Sequence, residues 1–300
     1  MDKVIVIVGP TAIGKSSLSI EIAKRFNGEI INGDSIQVYK ELNIGSAKIK
    51  PEEKQSIQHY LLDYLNIDEK YNVARFQKDA RRAIDEIIRK GKNPIVVGGT
   101  GLYIKALIYD YCFAEQKEID ENKYDKYSNQ QLYEMLQQRD YQSSVKIHPN
   151  NRKRIIRALL IADSGQTKTQ QEENQMHQMI YDTLLLGLTV DRDILKKRID
   201  KRVDMMIDEG LVDEVNYLFS NYPIESHCFQ AIGYKELIPY YLKKKELSLC
   251  IDEIKTHTKQ FAKRQYTWFK NQMEVNWFDI LDKQYPENVF EVIERFLKNE

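Results

Sequence analysis

A short stretch near the start of the chain combines glycines, a lysine and a serine at a spacing suited to binding phosphate. The pattern G-x-x-x-x-G-K-[ST] is matched without exception by Gly9, Pro10, Thr11, Ala12, Ile13, Gly14, Lys15 and Ser16. An apolar run at 4–8 precedes it and a helical pattern follows, which is the context that such a loop needs. We expect the backbone N–H groups and the helix N-terminus to bind phosphate oxygens, with Lys15 on the outer phosphate and Ser16 on Mg²⁺.

A single carboxylate, Asp34, follows the second predicted strand at 29–32. A nucleotide-hydrolysing protein with this loop usually carries an Asp after a later apolar strand, but here the strand at 94–97 runs into Gly98-Gly99-Thr100-Gly101. Ligands of open α/β sheets bind at the carboxyl ends of the strands, so Asp34 and Thr100 should converge on the phosphate loop. The alternative is that Asp34 is an ordinary turn residue, because Gly-Asp-Ser is also good turn chemistry.

The elements that must position these residues alternate between strand and helix. Strands at 4–8, 29–32, 94–97 and 184–189, with a helix at 73–89, predict a parallel sheet covered on both faces. Between 112 and 181 apolar strands vanish and helical patterns occur at 128–138 and 151–162. Beyond Asp191 the chain is almost all helix, at 194–208, 212–220, 234–242 and 247–274.

These patterns predict an α/β fold: a P-loop NTPase-like parallel sheet flanked by helices, with a helical insertion domain and a helical C-terminal region. The predicted parts are the first part of the core at 1–111, the insertion at 112–181, and the last core strand with the C-terminal helices at 182–300. No internal repeat is present in the sequence.

Composition limits the possible functions. The 300 residues include 45 Lys and Arg against 45 Asp and Glu, so any nucleic-acid site must come from local clustering. The 3 cysteines are widely spaced and the 5 histidines lack ligand spacing, so the sequence predicts neither a disulfide nor a zinc framework. We expect no signal-type leader and no membrane-spanning segment, because the first residues enter a predicted strand and no apolar run approaches about 18 residues. No symmetric apolar stripe suggests a dimer. We expect a cytoplasmic monomer without a membrane contact.

Three basic clusters are candidates for anion binding. Arg198 and Arg202 share one face of the helix at 194–208, so that an arginine there can clamp phosphate. Arg154 and Arg157 share a face of the helix at 151–162. On the last long helix, basic and aromatic residues are interleaved: Lys255, Lys259, Lys263, Arg264, Tyr266, Trp268, Phe269 and Lys270. Basic residues bind nucleic-acid phosphates and aromatic rings stack on bases. The alternative is a solvated helix with its aromatic residues in the core, and for Trp268 we favour packing.

Together these residues resemble the tRNA dimethylallyltransferase (tRNA isopentenyltransferase) family over most of the chain. The resemblance lies in GPTAIGKS at 9–16, DSIQVY at 34–39, IGSAK at 44–48, GGTGLY at 98–103, HPN at 148–150, QAIGYKE at 230–236 and AKRQYTWF at 262–269, together with 154–159 and 206–215. The DSxQVY and GGTGLY pieces are far more specific than the phosphate loop alone. The chain departs from the family with Ile49 in place of a proline, Asn151 in place of an Asp and Lys153 in place of a Gln, and residues 114–127 match weakly.

The resemblance implies an activity and a role for each matched residue. The loop at 9–16, with Arg198, would hold the diphosphate of dimethylallyl diphosphate rather than ATP, and Ser16 would hold Mg²⁺. Asp34 would accept a proton from the exocyclic amine of the adenosine 3′ to the anticodon, Thr100 would orient the reacting groups, and Lys15 and Arg202 would neutralise the leaving diphosphate. Contacts with the tRNA anticodon stem-loop would come from Asp34, Ser35, Ile36, Gln37, Thr100, Lys153, Arg154, Ile155, Ile156, Arg157, Gln230, Gly233, Tyr234, Lys263, Arg264 and Trp268.

Two other functions are compatible with part of the sequence. A P-loop kinase acting on a small molecule would use the loop and a base at Asp34, but it leaves the basic and aromatic C-terminal helices unexplained. A non-catalytic RNA-binding protein that uses ATP as a switch would leave Asp34 and Thr100 without a role.

Overall fold

Consecutive Val and Ile residues, whose branched side chains suit a strand, form the first element of a parallel sheet. The computed structural model describes residues 1–111, 113, 121–165, 167–173 and 178–299 of the chain. Its strands are β1 (Lys3–Val8), β2 (Gly28–Asn32), β3 (His59–Tyr60), β4 (Asn93–Val97), β5 (Asp182–Thr189) and β6 (Asn276–Asp279). They form one sheet in the order β3-β2-β4-β1-β5-β6, and every neighbouring pair is parallel.

The register brings three strand ends to the same level. Val97 of β4 lies opposite Ile7 of β1 on one side and opposite Asn32 of β2 on the other. Since β4 lies between β1 and β2, the segments that follow these three strands emerge side by side at one edge of the sheet. This edge is where the phosphate loop, Asp34 and Thr100 are found.

Helices build most of the rest of the chain. They are α1 (Lys15–Arg25), α2 (Val73–Arg89), α3 (Gly101–Ile108), α4 (Asn129–Arg139), α5 (Tyr141–Lys146), α6 (Arg152–Asp163), α7 (Lys168–Glu173), α8 (Arg192–Asp208), α9 (Leu211–Asn221), α10 (Ile238–Tyr241), α11 (Leu247–Gln272) and α12 (Glu287–Lys298). Short 3₁₀ helices lie at Glu52–Lys54, Glu121–Tyr124 and His227–Gln230. Apolar residues of α1 and α12, such as Ile22 and Phe290, share a core with Ile5 and Ile95 of the sheet, while α2 packs on β2, β4 and α3. The predicted fold class is therefore confirmed.

The chain divides into two compact units. One comprises Met1–Ile108 with Met179–Glu300, and the other is Tyr109–Gln178. The sequence placed the insertion at 112–181; Cys112, its predicted first residue, lies outside the described residues. Within the smaller unit α4 packs on α5 and α6 around fully buried residues, among them Tyr124, Leu136 and Leu159. Asp163 accepts hydrogen bonds from Lys123, Tyr124 and Arg139, which joins the chain before α4 to the end of α6.

Several elements differ from the sequence prediction. The edge strands β3 and β6 and the helices α3, α5, α7 and α12 were not predicted. The helix predicted at 234–242 is wrong over most of its length, because only Ile238–Tyr241 is helical. Pro239 lies at the start of that helix, where its missing N–H costs nothing, and the residues before it form turns. A membrane-crossing helix is absent from the described part of the chain, since even α11, the longest at 26 residues, is too polar.

Candidate active site and nucleic-acid interface

The phosphate loop connects β1 to α1 and has the backbone conformation of an anion-binding turn. Gly9, Ala12 and Gly14 have positive φ angles of 143°, 63° and 107°. At Gly9 a side chain is also excluded by space, because a Cβ would lie 2.9 Å from the carbonyl oxygen of Leu188. Lys15 folds back over the loop and donates to the carbonyl oxygens of Gly9 at 3.0 Å and Pro10 at 2.8 Å. The loop thus has the curled shape expected of it, with the lysine ammonium at its mouth.

Two arginines of α8 reach this loop. Arg198 Nε donates to the carbonyl oxygen of Ala12 at 3.1 Å, and its guanidinium lies 3.8 Å from where a Cβ of Gly14 would be. Arg202, one turn further, interacts electrostatically with both Lys15 and Asp34. The sequence predicted that an arginine on this helix face projects towards the phosphate site, and the structure places both there.

The charges at the loop are strongly coupled. Burial, and after it the positive charge of Arg202, lower the pKa of Lys15 from its ordinary value of 10.5 to about 7, while the negative charge of Asp34 opposes both effects. Burial also lowers the pKa of Arg202, against the attraction of Asp34, Glu53 and Glu209. Burial and mutual repulsion both disfavour the charged forms of Lys15 and Arg202. A bound anion would relieve that repulsion, so this pair of cations favours anion binding.

Asp34 lies directly beyond β2, beside the end of β4. The N–H of Gly33 donates to the carbonyl oxygen of Val97 at 2.7 Å, which extends the sheet pairing to the residue before Asp34. Asp34 Oδ1 accepts from the N–H of Ile36 at 2.8 Å and of Gln37 at 3.4 Å. The carboxylate is therefore oriented by its own turn, as the turn alternative requires, yet within the described residues Oδ2 receives no hydrogen bond and is left for another partner.

Thr100 precedes α3 at the end of β4. Its carbonyl oxygen accepts from Tyr103 N at 2.9 Å and Ile104 N at 3.2 Å, so Thr100 starts the helix. The backbones of β2 and β4 meet closely here: a Cβ on Gly98 would lie 2.5 Å from the carbonyl oxygen of Gly33. Since β1 and β2 are two strand spacings apart, roughly 10 Å separates Asp34 from the phosphate loop, with Thr100 between them.

Sequence reasoning missed a glutamine that joins two of these segments. Gln265 of α11 is 5 % exposed, accepts from Thr11 N at 2.9 Å and donates to the carbonyl oxygen of Gly99 at 3.1 Å. The signal for it was available, because Gln265 shares the buried face of α11 with Ala262 and Phe269. A polar residue on such a face needs partners, and here the partners are the loops of the site.

Glu214 of α9 was also missed and organises the loop at 43–48. Its carboxylate accepts from the N–H groups of Asn43, Ile44 and Gly45 at 3.0, 2.8 and 3.1 Å, and from Tyr234 Oη at 2.8 Å. No local pattern identifies this contact, because the residues that Glu214 binds lie far away in the sequence.

Two residues that were predicted to contact tRNA, Tyr234 and Gln37, instead contact the loop at 43–48. The ring of Tyr234 is fully buried under Gly45, where a Cβ would lie 2.6 Å from it, so its side chain is structural in this conformation. Gln37 Nε2 donates to the carbonyl oxygens of Ser46 and Ala47 at 3.0 and 3.2 Å. Of the remaining predicted contacts, Ser35 and Ile36 are half-buried, Gly233 is buried and Gln230 is exposed.

The basic face of α11 is narrower than its sequence pattern suggested. Lys255 and Lys259 form ion pairs with Asp204 and Asp200 of α8, so they hold the two helices together. Further along, an open groove on α11 is lined by Gln260, Lys263, Arg264, Thr267, Trp268, Asn271 and Gln272. Lys263 and Arg264 are exposed there.

Trp268 has the packing role that we favoured and also faces the groove. Its ring covers Gly101 so closely that a Cβ there would lie 2.1 Å away, and it contacts Phe269 edge-on at 5.1 Å. The side chain is half-buried and remains part of the groove lining.

In the smaller unit α6 presents Lys153, Arg154 and Arg157 to solvent. The side chain of Asn151 accepts from Arg154 N at 3.3 Å and caps the helix, so Asn performs the capping that an Asp would perform. Ile155 is fully buried in the core of this unit and Ile156 packs against that core. The prediction that Ile155 and Ile156 contact tRNA stays a prediction, although the buried side chain of Ile155 is not accessible in this conformation.

The residues at the loop fit a magnesium ion. Ser16 is exposed at the start of α1, where the phosphate loop ends, so its hydroxyl can reach a bound ion. Mg²⁺ is held by oxygen ligands and keeps several water and phosphate ligands, so one or two protein oxygens suffice. The described residues contain no group of three or more His, Cys, Asp and Glu that could bind a metal by themselves.

Comparison with known proteins gives a consistent result. A family model described as IPP transferase matches residues 37–272. A tRNA dimethylallyltransferase of Anoxybacillus flavithermus is 49 % identical over 284 residues, which cover 94 % of this chain and 91 % of that protein.

Two solved structures extend the likeness to the fold. A tRNA isopentenylpyrophosphate transferase of Staphylococcus epidermidis is 41 % identical, with a TM-score of 0.76 and full coverage of both chains. A eukaryotic dimethylallyltransferase acting on tRNA is 32 % identical, with a TM-score of 0.89 over all of this chain and 80 % of the other. The resemblance drawn from the sequence motifs is confirmed, and the chain belongs to the tRNA dimethylallyltransferase (IPP transferase) family.

Proposed function

We propose that this protein transfers a dimethylallyl group from dimethylallyl diphosphate to the exocyclic amine of the adenosine 3′ to the anticodon, position 37, in tRNA. The products are N6-dimethylallyladenosine and diphosphate. The observation that carries the proposal is the meeting of the phosphate loop, Lys15 and Arg202 with Asp34 at one edge of the sheet. The activity is the one for which the relatives are named.

The diphosphate end of the donor would lie in the loop at 9–16. Because Thr11 N already donates to Gln265, the donors left for phosphate oxygens are the following N–H groups of the loop, as far as Ser16. Lys15, Arg198 and Arg202 would place positive charge around the leaving group, where negative charge accumulates as its C–O bond breaks. Mg²⁺ on Ser16 would neutralise part of that charge when bound.

Asp34 would act as the general base. As the amine nitrogen forms its bond to the allylic carbon and the carbon–oxygen bond to diphosphate breaks, one amine proton must leave. The oriented carboxylate, with Oδ2 available among the described residues, can accept that proton. Thr100, between the loop and Asp34, would orient the amine or the diphosphate.

The acceptor base must leave its stack to reach this edge, so base flipping is part of the proposal. The exposed Lys263 and Arg264 on α11 would bind backbone phosphates, and so would the exposed basic residues of α6 in the other unit. We further propose that the protein acts as a cytoplasmic monomer.

A direct experiment separates this function from the two alternatives. The protein is incubated with Mg²⁺, unmodified tRNA and either dimethylallyl diphosphate or ATP, and the digested nucleosides are analysed by mass spectrometry. Prenylated adenosine formed from dimethylallyl diphosphate alone is the expected result. Tight binding of ATP with no prenyl transfer would favour a kinase or an ATP-dependent RNA-binding protein instead.

A further inference from the structure

Gln265 is the one side chain among the described residues that hydrogen-bonds both to the phosphate loop and to the segment that carries Thr100. Its carbonyl oxygen accepts from Thr11 N at 2.9 Å, and its amide nitrogen donates to the carbonyl oxygen of Gly99 at 3.1 Å. Both ends of the amide are thus engaged, and neither bond can be kept if the amide rotates by half a turn, since donor and acceptor would be exchanged.

The surroundings fix this amide in place. Gln265 is 5 % exposed, and Gly99 approaches it so closely that a Cβ would lie 2.0 Å from Nε2. One turn along the same helix, Trp268 covers Gly101 in the same way. Gly99 and Gly101 therefore lie against α11 with no room for a side chain at either position, and the amide sets the distance of this segment from Thr11.

We propose that Gln265 is a positioning residue that sets the spacing between the donor loop and the segment bearing Thr100. The inference rests on the proposed function, in which the first segment holds the diphosphate and the second, through Thr100, orients the amine or the diphosphate. Misplacing reacting groups by about 1 Å can cost about 10²-fold in rate, so a single amide that sets this spacing affects the chemical step. It would affect tRNA binding much less, because the exposed basic residues do not depend on it.

The test compares three variants with the wild-type protein. Gln265→Met keeps the length of the side chain and loses both hydrogen bonds. Gln265→Glu keeps an acceptor for Thr11 N but, when ionised, has no donor for Gly99. Ile254→Val, also buried on α11 but about 16 Å along the helix axis from Gln265, is the control for a general loss of packing. For each protein, kcat, KM for donor and for tRNA, and Tm are measured.

We expect kcat of Gln265→Met to fall about 10²-fold, with KM for tRNA within about twofold of wild type and Ile254→Val close to wild type in both. The kcat of Gln265→Glu, relative to wild type, should rise as pH falls, because a protonated carboxyl can again donate to Gly99. This second variant keeps the test decisive if Gln265→Met does not fold.

The inference is overturned if Gln265→Met keeps the kcat of the Ile254→Val control, or if KM for tRNA rises as much as kcat falls. It is also overturned if the relative kcat of Gln265→Glu is independent of pH. A wild-type protein that forms no prenylated adenosine would instead overturn the proposed function, and this inference with it. If the wild-type protein forms prenylated adenosine and the Gln265 variants are as active as wild type, only this inference is overturned.

Discussion

The lowered pKa of Lys15 predicts that donor binding takes up a proton. With a pKa of about 7, Lys15 is about nine-tenths neutral at pH 8 in the free protein. A diphosphate beside it favours the charged ammonium, so binding at pH 8 should take up about one proton. At pH 6 most of the lysine is already charged, so the number of protons that it takes up per donor bound should fall to about 0.1.

The size of the effect on affinity follows from the same shift. Above pH 7, each further pH unit should weaken donor binding about tenfold until the pKa of Lys15 in the complex is reached. The donor contributes little to this slope above pH 7, because the last ionisation of a terminal phosphate has a pKa of about 6. Arg202→Gln should raise the pKa of free Lys15, because Arg202 lowers it, and should move the proton uptake to higher pH.

Isothermal calorimetry of dimethylallyl diphosphate in buffers of different ionisation enthalpy measures this proton uptake directly. Lys15→Met is the matched control and should show weak binding without the pH dependence. Affinity that stays constant from pH 7 to 9, or a wild-type proton uptake equal to that of Lys15→Met, would refute the reasoning.

The same shift predicts a stability change of definite sign. Between about 7 and 10.5 the unfolded chain keeps a proton on Lys15 that the folded protein has lost. The unfolded state therefore binds more protons, and the Lys15 contribution to the free energy of unfolding rises with pH across this window. Lys15→Met should remove this contribution from the pH dependence measured by urea unfolding.

Three further predictions concern the base, the loop at 43–48 and the RNA surface. Asp34→Asn should lower kcat by about 10²–10⁴-fold with little change in Tm, because it removes the proton acceptor but keeps the Oδ1 atom that accepts from the N–H groups of the turn; steady-state prenylation assays and thermal melts measure both. Glu214→Gln should lower the free energy of unfolding by about 2 kcal/mol, since hydrogen bonds to a charged acceptor are stronger than those to a neutral one; chemical denaturation measures it. Neutralising four exposed cations should weaken tRNA binding and reduce its salt slope by about 0.7–0.9 for each ionic interaction with a phosphate that is removed, while donor affinity stays unchanged. These four are Arg154, Arg157, Lys263 and Arg264.

Each of these predictions has a control and a contradicting result. For the base, unchanged turnover in Asp34→Asn would remove the assignment. For the loop, Asp213→Asn beside Glu214 is the matched control on the same helix, and equal stability of the two variants would mean that the carboxylate does not hold the loop. For the RNA surface, Lys255→Gln with Lys259→Gln is the control, because those lysines pair with α8; equal tRNA affinity of the control and the fourfold variant would contradict the assignment.

The parts of the site that follow strand ends could be predicted from the sequence. The apolar run before the phosphate loop and the Gly-rich ends of β2 and β4 require Gly9, Asp34 and Thr100 to lie at one edge of a parallel sheet. The arginines of α8 were predictable because residues four apart share a helix face. For these residues, spacing along the sequence was enough to predict where they lie in the fold.

The other residues depend on partners that are distant in sequence. Gln265 and Glu214 hydrogen-bond to backbone groups up to 254 and 171 positions away. The buried face of α11 marks Gln265 as a polar residue that needs partners, but no local pattern indicates which groups those partners are. From the sequence alone Lys255 and Lys259 belong to a basic surface, but in the structure they form ion pairs with aspartates of α8. The edge strand β3 has only two residues, too few for a periodic pattern.

The central claim is that the loop at 9–16 holds a prenyl donor whose group goes to one adenosine of tRNA. The most direct measurement digests tRNA after reaction with dimethylallyl diphosphate and locates the added mass by tandem mass spectrometry. The account predicts one dimethylallyl group on the N6 atom of the adenosine 3′ to the anticodon, and its loss when that adenosine is replaced by guanosine. Modification at another nucleotide, or phosphate transferred from ATP in place of a prenyl group, would contradict it.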